Sequence, residues 1–376
     1  MIKQNVYVRL LYKARNRAPA AFIAFAVLAA ALITGCSKGG QTGQPPTDTP
    51  ATAAQTDGSG SSGNANGTAP ALADDFTGVG TKIYPDGTYS GDFVGGVRSG
   101  HGVMAYNNGN IYEGNWDSNA RSGAGSLTWP TGDVYDGNWV DDTRSGNGVF
   151  TWASGAVFTG NWSNNERSGA GLMTHANGNA YDGNWENDQK SGDGTFTWTN
   201  GDVYTGNWVN DARSGPGVFT WGSGDSYSGN WADNVRSGLG VLTYESGNSY
   251  DGNWENDQKS GLGTFTWTDG SVYTGDWVED TRTGFGVMEY ANGSIYEGDW
   301  DANSATGFGM MVYTNGNTYQ GSFVNSEFSG TGTFTWANGD VYIGEWENNV
   351  RNGHGVFTPV NGNPLDGIWE DGNFIG

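Results

Sequence analysis

A motif of 23 residues recurs without insertion or deletion from Tyr89 to the end of the chain. One copy, residues 181–203, reads YDGNWENDQKSGDGTFTWTNGDV. A fixed period of this length is the signature of a repeat architecture, in which each unit packs on its neighbours. The chain therefore holds twelve full copies and a half copy that begins at Leu365. The copies begin at Tyr89, Tyr112, Tyr135, Phe158, Tyr181, Tyr204, Tyr227, Tyr250, Tyr273, Tyr296, Tyr319 and Tyr342.

Each repeat contains two short alternating patterns, when its positions are numbered from the first aromatic residue. Position 1 is Tyr in eleven of the twelve copies, position 3 is always Gly, and position 5 is Trp or Phe. Positions 12, 14, 16 and 18 are Gly, Gly, an apolar residue and usually Trp or Tyr. Side chains on a strand alternate between faces, so each set shares one face. With polar residues between the sets and Gly at position 21, the sequence predicts one β-hairpin per repeat.

A single hairpin of this size is not stable alone, so its aromatic face must be covered by neighbouring repeats. We predict an all-β fold, an elongated single-layer antiparallel sheet that forms an open solenoid of stacked hairpins. At about 4.8 Å per strand, the repeats would span on the order of 110 Å. All 17 Trp residues lie at position 5 or 18, which indicates an aromatic stripe as the core. Gly between two aromatic residues is expected to leave a slot for a ring from a neighbouring strand.

This pattern resembles the MORN repeat, whose unit runs roughly Y-x-G-x-W, six residues, G-x-G, six residues and G. Copies that carry it include residues 112–116 with Gly123 and Gly125, and residues 296–300 with Gly307 and Gly309. The family often has Gly at position 8, where most copies here have Asn, Asp or Ser; this departure bears on the geometry of that turn. The resemblance implies a grooved sheet that serves as a scaffold, a membrane-associated platform or a dimerisation element, without catalytic residues.

Residues 1–35 are predicted to be a signal peptide. Five basic residues precede an apolar stretch at residues 18–33, which is short for a membrane span. It ends in Ile33-Thr34-Gly35-Cys36, which is similar to a bacterial lipobox and implies lipidation of Cys36, the single cysteine. The alternatives are an ordinary signal peptide with an incidental cysteine, or an uncleaved anchor. Ser37 follows the cysteine, which favours the outer membrane over the inner one.

Residues 36–80 are rich in Gly, Ser, Thr and Pro and poor in large apolar side chains. Such a composition predicts a disordered tether between the lipid and the fold. The repeat domain is then residues 81–376. Residues 76–85 are expected to form its lead-in strand, and residues 359–376 its C-terminal cap.

The charge of the repeat domain excludes nucleic acid as a partner. The chain has a formal net charge of −23, and 36 acidic residues after Pro85 face only ten basic ones, all at position 10. A nucleic-acid-binding domain needs a basic face instead. The basic row has two interpretations. It either binds an extended polyanion, or each cation neutralises nearby carboxylates at positions 2, 6, 7 and 8; the negative surroundings favour the second.

The sequence carries no pattern typical of catalysis. Its three histidines, His101, His175 and His354, lie in different repeats, and no hydrolase, zinc-protease or phosphate-loop motif occurs. Paired carboxylates such as Asp141 and Asp142 recur periodically, whereas a catalytic pair would be unique. We therefore expect no enzyme activity, no cofactor and no metal site. The acidic loops leave calcium binding open.

We predict a membrane-anchored scaffold or protein-binding module of the bacterial cell envelope, with the outer membrane as its location. Its partner would be another protein or a second copy. The alternative function is binding of peptidoglycan or surface polysaccharide, because exposed Trp and Tyr stack on sugars as well as on apolar partners. The candidate contact residues all lie at position 18 and are Trp129, Trp152, Trp198, Trp221, Tyr244, Trp267, Tyr290, Tyr313 and Trp336.

Overall fold

A computed structural model describes residues 72–376, and these form one open antiparallel sheet of 27 strands. Each strand pairs with the next one along the chain, so the sheet is a continuous meander; β1 pairs with β2, β2 with β3, and so on to β27. The predicted all-β class and the stacked hairpins are confirmed. The predicted signal peptide, Cys36 and most of the tether lie outside the described residues.

The strands are β1 Gly78–Tyr84, β2 Gly87–Val94, β3 Val97–Tyr106, β4 Ile111–Asp117, β5 Ala120–Thr128, β6 Val134–Val140, β7 Thr143–Thr151, β8 Val157–Ser163, β9 Glu166–Thr174, β10 Ala180–Glu186, β11 Gln189–Thr197, β12 Val203–Val209, β13 Ala212–Thr220, β14 Ser226–Ala232, β15 Val235–Thr243, β16 Ser249–Glu255, β17 Gln258–Thr266, β18 Val272–Val278, β19 Thr281–Glu289, β20 Ile295–Asp301, β21 Ser304–Val312, β22 Thr318–Val324, β23 Glu327–Thr335, β24 Val341–Glu347, β25 Val350–Thr358, β26 Leu365–Glu370 and β27 Asn373–Phe374. The expected lead-in strand is β1, and the C-terminal half copy continues the sheet as β26 and β27.

The two strands of a repeat are joined by a two-residue turn at positions 7 and 8. In the repeat that begins at Tyr181, these residues are Asn187 and Asp188, with φ of 49° and 65°. Two positive φ values are the mark of a type I′ turn, whose twist matches that of the flanking strands. Asn and Asp adopt this left-handed region more readily than other side chains. Their presence where the family often has Gly therefore preserves the hairpin.

Successive repeats are joined by a second turn, at positions 18 to 22. Between β11 and β12, the Trp198 amide donates to the Asp202 carbonyl at 2.9 Å, and the Gly201 amide donates back to the Trp198 carbonyl at 3.1 Å. Gly201 has φ of 92°, a value that a side chain would strain. The invariant glycine at position 21 thus closes a hairpin loop that ends in a left-handed residue.

The two glycines of the second strand have different roles. Gly194, at position 14, is buried opposite Gly183 in the strand pair. Gly192, at position 12, is exposed and has φ of 60°. It lies where the register between β10 and β11 shifts by a bulge, and a positive φ at a bulge favours glycine.

The tyrosine at position 1 fills the slot that the glycines create. Tyr181 is fully buried, and a Cβ added to Gly183 or Gly194 would lie 2.5 Å from its Oη or 2.6 Å from its Cζ. At Gly183 the slot is occupied by a ring from the same strand, two residues earlier, so the predicted ring from a neighbouring strand was wrong there. At Gly194, which lies on β11, the same ring does come from the neighbouring strand β10. The Tyr181 hydroxyl also donates to the Asn184 carbonyl at 3.0 Å.

Neighbouring repeats are linked through the aromatic residues at positions 1 and 5. The Tyr181 ring meets Trp185 of its own repeat at 5.2 Å and Trp208 of the next repeat at 5.4 Å, both edge to face. The Trp208 indole N–H donates back to the Gly194 carbonyl at 3.2 Å. Edge-to-face pairs contribute about 0.5–1.5 kcal/mol each beyond burial, so this chain of rings ties each hairpin to the next.

Phe158→Tyr tests how much the tyrosine hydroxyl at position 1 contributes to stability, because Phe158 is the position-1 residue that lacks it in the twelve full repeats. The Phe158 ring already contacts Trp162 at 5.3 Å and Trp185 at 5.4 Å, as the tyrosines do. We expect the added hydroxyl to donate to the Asn161 carbonyl and to raise the free energy of unfolding by about 1 kcal/mol. Urea denaturation of both proteins measures this; an unchanged or lower midpoint would show that the hydroxyl contributes nothing net.

Candidate functional site

The aromatic face contains a buried stripe and, beside it, a half-buried row. Residues at positions 1 and 5 form the stripe, and every one of them in the twelve repeats is buried. The nine predicted contact residues at position 18 are all half-buried and pack against the edge of that stripe. We call them the position-18 row. Trp198, for example, contacts Phe196 at 4.4 Å and Phe219 of the next repeat at 5.4 Å.

Each cation at position 10 joins two repeats. The Arg236 guanidinium lies 4.2 Å from the centre of the Trp254 ring. Its Nε donates to Asp257 Oδ1 at 2.9 Å, its Nη2 donates to the Asp257 carbonyl, and the Arg236 amide donates to the same Oδ1. Trp254 and Asp257 are positions 5 and 8 of the following repeat. The cation is therefore a clamp between repeats, held by stacking and by charge-assisted hydrogen bonds.

The residue at position 8 of the next repeat is the partner that recurs along the row of cations, as for Arg121 with Asp142 and Arg236 with Asp257. It is Asp in five clamps, with N···O distances of 2.9–3.2 Å. In four clamps it is Asn, as in the pair of Arg213 and Asn234, and for Arg351 it is the carbonyl of Gly372. Arg121, Arg167 and Arg213 are at most 7% exposed. Cations so covered do not present an open polyanion site.

Burial also changes the electrostatics of these clamps. Desolvation lowers the pKa of Arg213 to about 10, because its Asn partner supplies no negative charge to offset the loss of water. Burial likewise lowers the pKa of Arg144, Arg282 and Arg351. These guanidinium groups stay charged at neutral pH, and their interactions lie within the fold.

The row of clamps is interrupted at two neighbouring repeats. Position 10 is Ala305 and then Phe328. Ser326 accepts a hydrogen bond from the Ala305 amide at 3.0 Å, in place of the usual Asx side chain. The Phe328 ring stacks on Tyr319 at 3.6 Å and so fills the space of a guanidinium. The sheet continues through both positions without a break.

A shallow cavity of about 270 Å³ lies between the position-18 row and the clamps, near the middle of the repeats. It is lined by three aromatic residues, one leucine, three carboxylates and two cations. The lining residues are Trp221, Asp225, Arg236, Leu242, Tyr244, Trp254, Asp257, Lys259 and Asp280. Such a surface suits a planar or apolar group that also offers hydrogen-bond donors.

The histidines are separated in the structure, as they are in the sequence. His175 takes the place of an aromatic residue in the position-18 row and contacts Phe196 at 5.9 Å, and His354 lies near Asp366 at 3.3 Å. Within residues 72–376, no three His, Cys, Asp or Glu side chains gather in a way that would hold a metal ion. The same residues contain no helix able to cross a bilayer.

Sequence reasoning favoured pairing of the cation with nearby acids, position 8 among them, but did not predict that the pair joins neighbouring repeats, although the sequence contains a signal for it. Wherever position 10 is Lys or Arg in the first eleven repeats, the residue 21 positions later is Asn or Asp. Where position 10 is Ala305, that residue is Ser326. Phe328 is also followed by Asn349, whose Oδ1 accepts from the Phe328 amide, so the spacing of 21 residues indicates the contact between repeats and not the need for a cation.

Comparison with known proteins supports the repeat assignment. The profile of the MORN repeat matches twelve consecutive segments, from 89–111 to 342–363. No curated protein matches the chain significantly.

Solved structures resemble the chain only weakly. The TCP10 domain of Danio rerio CPAP is similar at 13% identity over 52% of this chain and 93% of that one, with a TM-score of 0.31. The TCP10c domain of Drosophila melanogaster Sas-4 is similar at 12% identity over 47% and 99%, with a TM-score of 0.26. Scores this low carry no inference about a partner.

Tandem repeats of this kind indicate a protein-binding or membrane-associated module. On the twelve matched segments and the meander of hairpins that they form, the chain belongs to the MORN repeat family.

Proposed function

We propose that the protein is a non-enzymatic scaffold of the bacterial cell envelope that holds a protein partner along the position-18 row. One observation carries the proposal. Nine aromatic side chains form a half-exposed row beside a core that is already closed by positions 1 and 5. Aromatic residues that keep one face in contact with water are typical of binding surfaces.

The charge of the domain supports a protein partner over a polyanion. The ten cations after Pro85 lie at position 10, and the clamps engage them in contacts between repeats. The carboxylates that remain outside the clamps give the domain a negative electrostatic potential, which repels nucleic acid and anionic polymers. A partner with apolar or basic side chains would meet both the aromatic row and the carboxylates that line the cavity.

The proposed location depends on the lipobox. Lipidation of Cys36 would anchor the chain stably, since two or three acyl chains bury enough CH₂ groups for that. The tether at residues 36–80 would then let the repeats reach partners away from the bilayer, and Ser37 favours the outer membrane. Cys36→Ser should abolish labelling by radioactive palmitate and move the protein from the membrane to the soluble fraction; label retained in this variant would refute the anchor.

Photocrosslinking in the native envelope tests the contact surface. Photoreactive residues are placed at Trp198, Trp221 and Tyr244, one protein at a time. Matched controls carry the probe at Thr197, Thr220 and Thr243, which lie at position 17 and are exposed. We expect protein adducts, identified by mass spectrometry, from position 18 and not from position 17. Equal adducts from both positions, or none from position 18, would overturn the proposal.

Glycan binding is the second candidate, and the aromatic cavity favours it. A sugar ring stacked on Trp221 would donate hydrogen bonds to carboxylates such as Asp225, which lines the same cavity. Trp221→His introduces the residue that position 18 already has at His175, so the fold should persist. If purified protein binds peptidoglycan and this variant does not, while position 18 gives no protein adducts, the glycan function replaces the scaffold.

A further inference from the structure

The face of the sheet opposite the aromatic stripe carries an exposed apolar row in four consecutive repeats. Its members are Leu239, Leu262, Phe285 and Phe308, all at position 13, with exposed fractions of 63%, 47%, 36% and 58%. We call them the position-13 row. In the other repeats position 13 is His, Ala, Asn, Asp, Pro or Thr. The hairpin therefore does not require large apolar side chains here, and four in succession need another explanation.

Carboxylates alternate with the later members of this row. In the strand register, Leu262 lies opposite Asp276 and Phe285 lies opposite Asp299. On the other side, Asp276 is paired with Thr283 and Asp299 with Thr306, each across a bulge and two residues before Phe285 and Phe308. The Phe308 amide donates to Asp299 Oδ2 at 3.3 Å, so the carboxylate lies beside the row. Neighbouring strands are about 4.8 Å apart, so apolar side chains recur about every 10 Å with an acidic group midway.

No cation of the described residues balances this charge on the same face. All Lys and Arg of residues 72–376 lie at position 10, stacked on aromatic rings, except Lys82. Lys82 is paired with Tyr89 and so also lies on the aromatic side. Among residues 72–376, this face therefore carries carboxylates and no Lys or Arg around the position-13 row. A second copy of this face or an anionic bilayer would be repelled, whereas a basic partner would be attracted.

We propose that the position-13 row binds an amphipathic helix of a protein partner, laid across the strands. The helix would carry a large apolar residue at every seventh position and Lys or Arg about one turn away. Seven helical residues rise about 10.5 Å and one turn about 5.4 Å, which matches the spacing of the row and of its carboxylates. An extended segment repeats on one face about every 6.8 Å and does not match.

This site goes beyond the proposed function, because it lies on the other face from the position-18 row. The four repeats accommodate a helix of about 22 residues, with apolar contacts at its first, eighth, fifteenth and last positions. A module with one row on each face can hold two partners at once, on opposite sides of a sheet one layer thick.

The test uses the full-length mature chain and two synthetic 22-residue helical peptides. Both have Leu at positions 1, 8, 15 and 22; one has Lys one turn from each Leu and the other has Glu. We expect fluorescence anisotropy at low salt to show binding of the Lys peptide only. Phe285→Asn with Phe308→Asn should weaken binding at least tenfold. The control, Val140→Asn with Val209→Asn, removes equally exposed apolar residues away from the row and should leave affinity unchanged.

The charges are tested by Asp276→Asn with Asp299→Asn. Asn is the residue at this position in most repeats, Asn253 among them, so the fold should be preserved, as circular dichroism will show. We expect weaker binding of the Lys peptide and a flatter dependence on salt. Equal binding of both peptides, no binding of either, or unchanged affinity of the phenylalanine variant overturns the proposal. Two further outcomes would also overturn it. One is that the wild-type protein is a dimer in sedimentation and the phenylalanine variant is not; the other is that the wild-type protein binds phosphatidylglycerol vesicles and the phenylalanine variant does not.

Discussion

We expect Gly263→Ala to lower the free energy of unfolding by about 3 kcal/mol or more, a large effect for one methyl group. A Cβ at this position 14 residue would overlap the hydroxyl of Tyr250 and lie 2.5 Å from its Cζ. Tyr250 is fully buried and contacts Trp254 at 5.2 Å and Trp277 at 5.4 Å. A displaced ring therefore loosens two repeats. Urea denaturation followed by tryptophan fluorescence measures the loss.

Gly270→Ala, in the same repeat, is the matched control. A Cβ added to Gly270 would have no atom within 4 Å, and the φ of 90° is the only obstacle to a side chain there. Backbone strain of this kind costs about 1 kcal/mol. Hydrogen exchange should show the Gly263 variant opening locally around its repeat, since repeats interact chiefly with neighbours. Equal losses in the two variants would mean that tyrosine packing does not set the stability.

The fold was largely predictable from the sequence because the same spacing of aromatic and glycine residues recurs in every repeat. A tyrosine, glycine and tryptophan at alternate positions indicated a strand, and the invariant glycine at position 21 indicated a turn. Because the twelve copies have no insertion that could form another layer, each aromatic face could be covered only by the neighbouring hairpins. The position-18 residues were placed correctly on that face, but periodicity alone did not show that they would be half-buried beside the stripe.

Contacts that cross from one repeat to the next were harder to predict. The clamp of Arg236 with Asp257 joins residues 21 positions apart, and nothing within one repeat indicates that these residues meet. The ring of Tyr181 lies over glycines of its own hairpin, a geometry set by the side-chain direction on a twisted strand. The position-13 row becomes visible only when the register places Leu262 beside Asp276. These features depend on pairing between strands, which a pattern along one strand does not contain.

High pH should unfold the repeats. Burial raises the pKa of the tyrosines at position 1, to about 12 for Tyr89, Tyr135, Tyr204, Tyr227 and Tyr319. In the unfolded chain the same hydroxyls lose their protons near pH 10. The native state then holds protons that the unfolded state releases, so stability is full below pH 10 and falls as the pH rises towards 12.

The buried arginines raise the free energy of unfolding as the pH increases above 10, but the tyrosines, which lower it, have the larger effect. The lowered pKa of Arg213, about 10, means that the native state sheds this proton first, which adds stability as the pH rises from 10 towards 12.5. Four arginines have this shift, whereas eleven repeats have a position-1 tyrosine. Absorbance at 295 nm and near-ultraviolet circular dichroism should therefore change together above pH 10. Protein in guanidinium chloride is the control and should titrate gradually near pH 10; gradual titration of native protein with its dichroism retained would show that the hydroxyls reach solvent without unfolding.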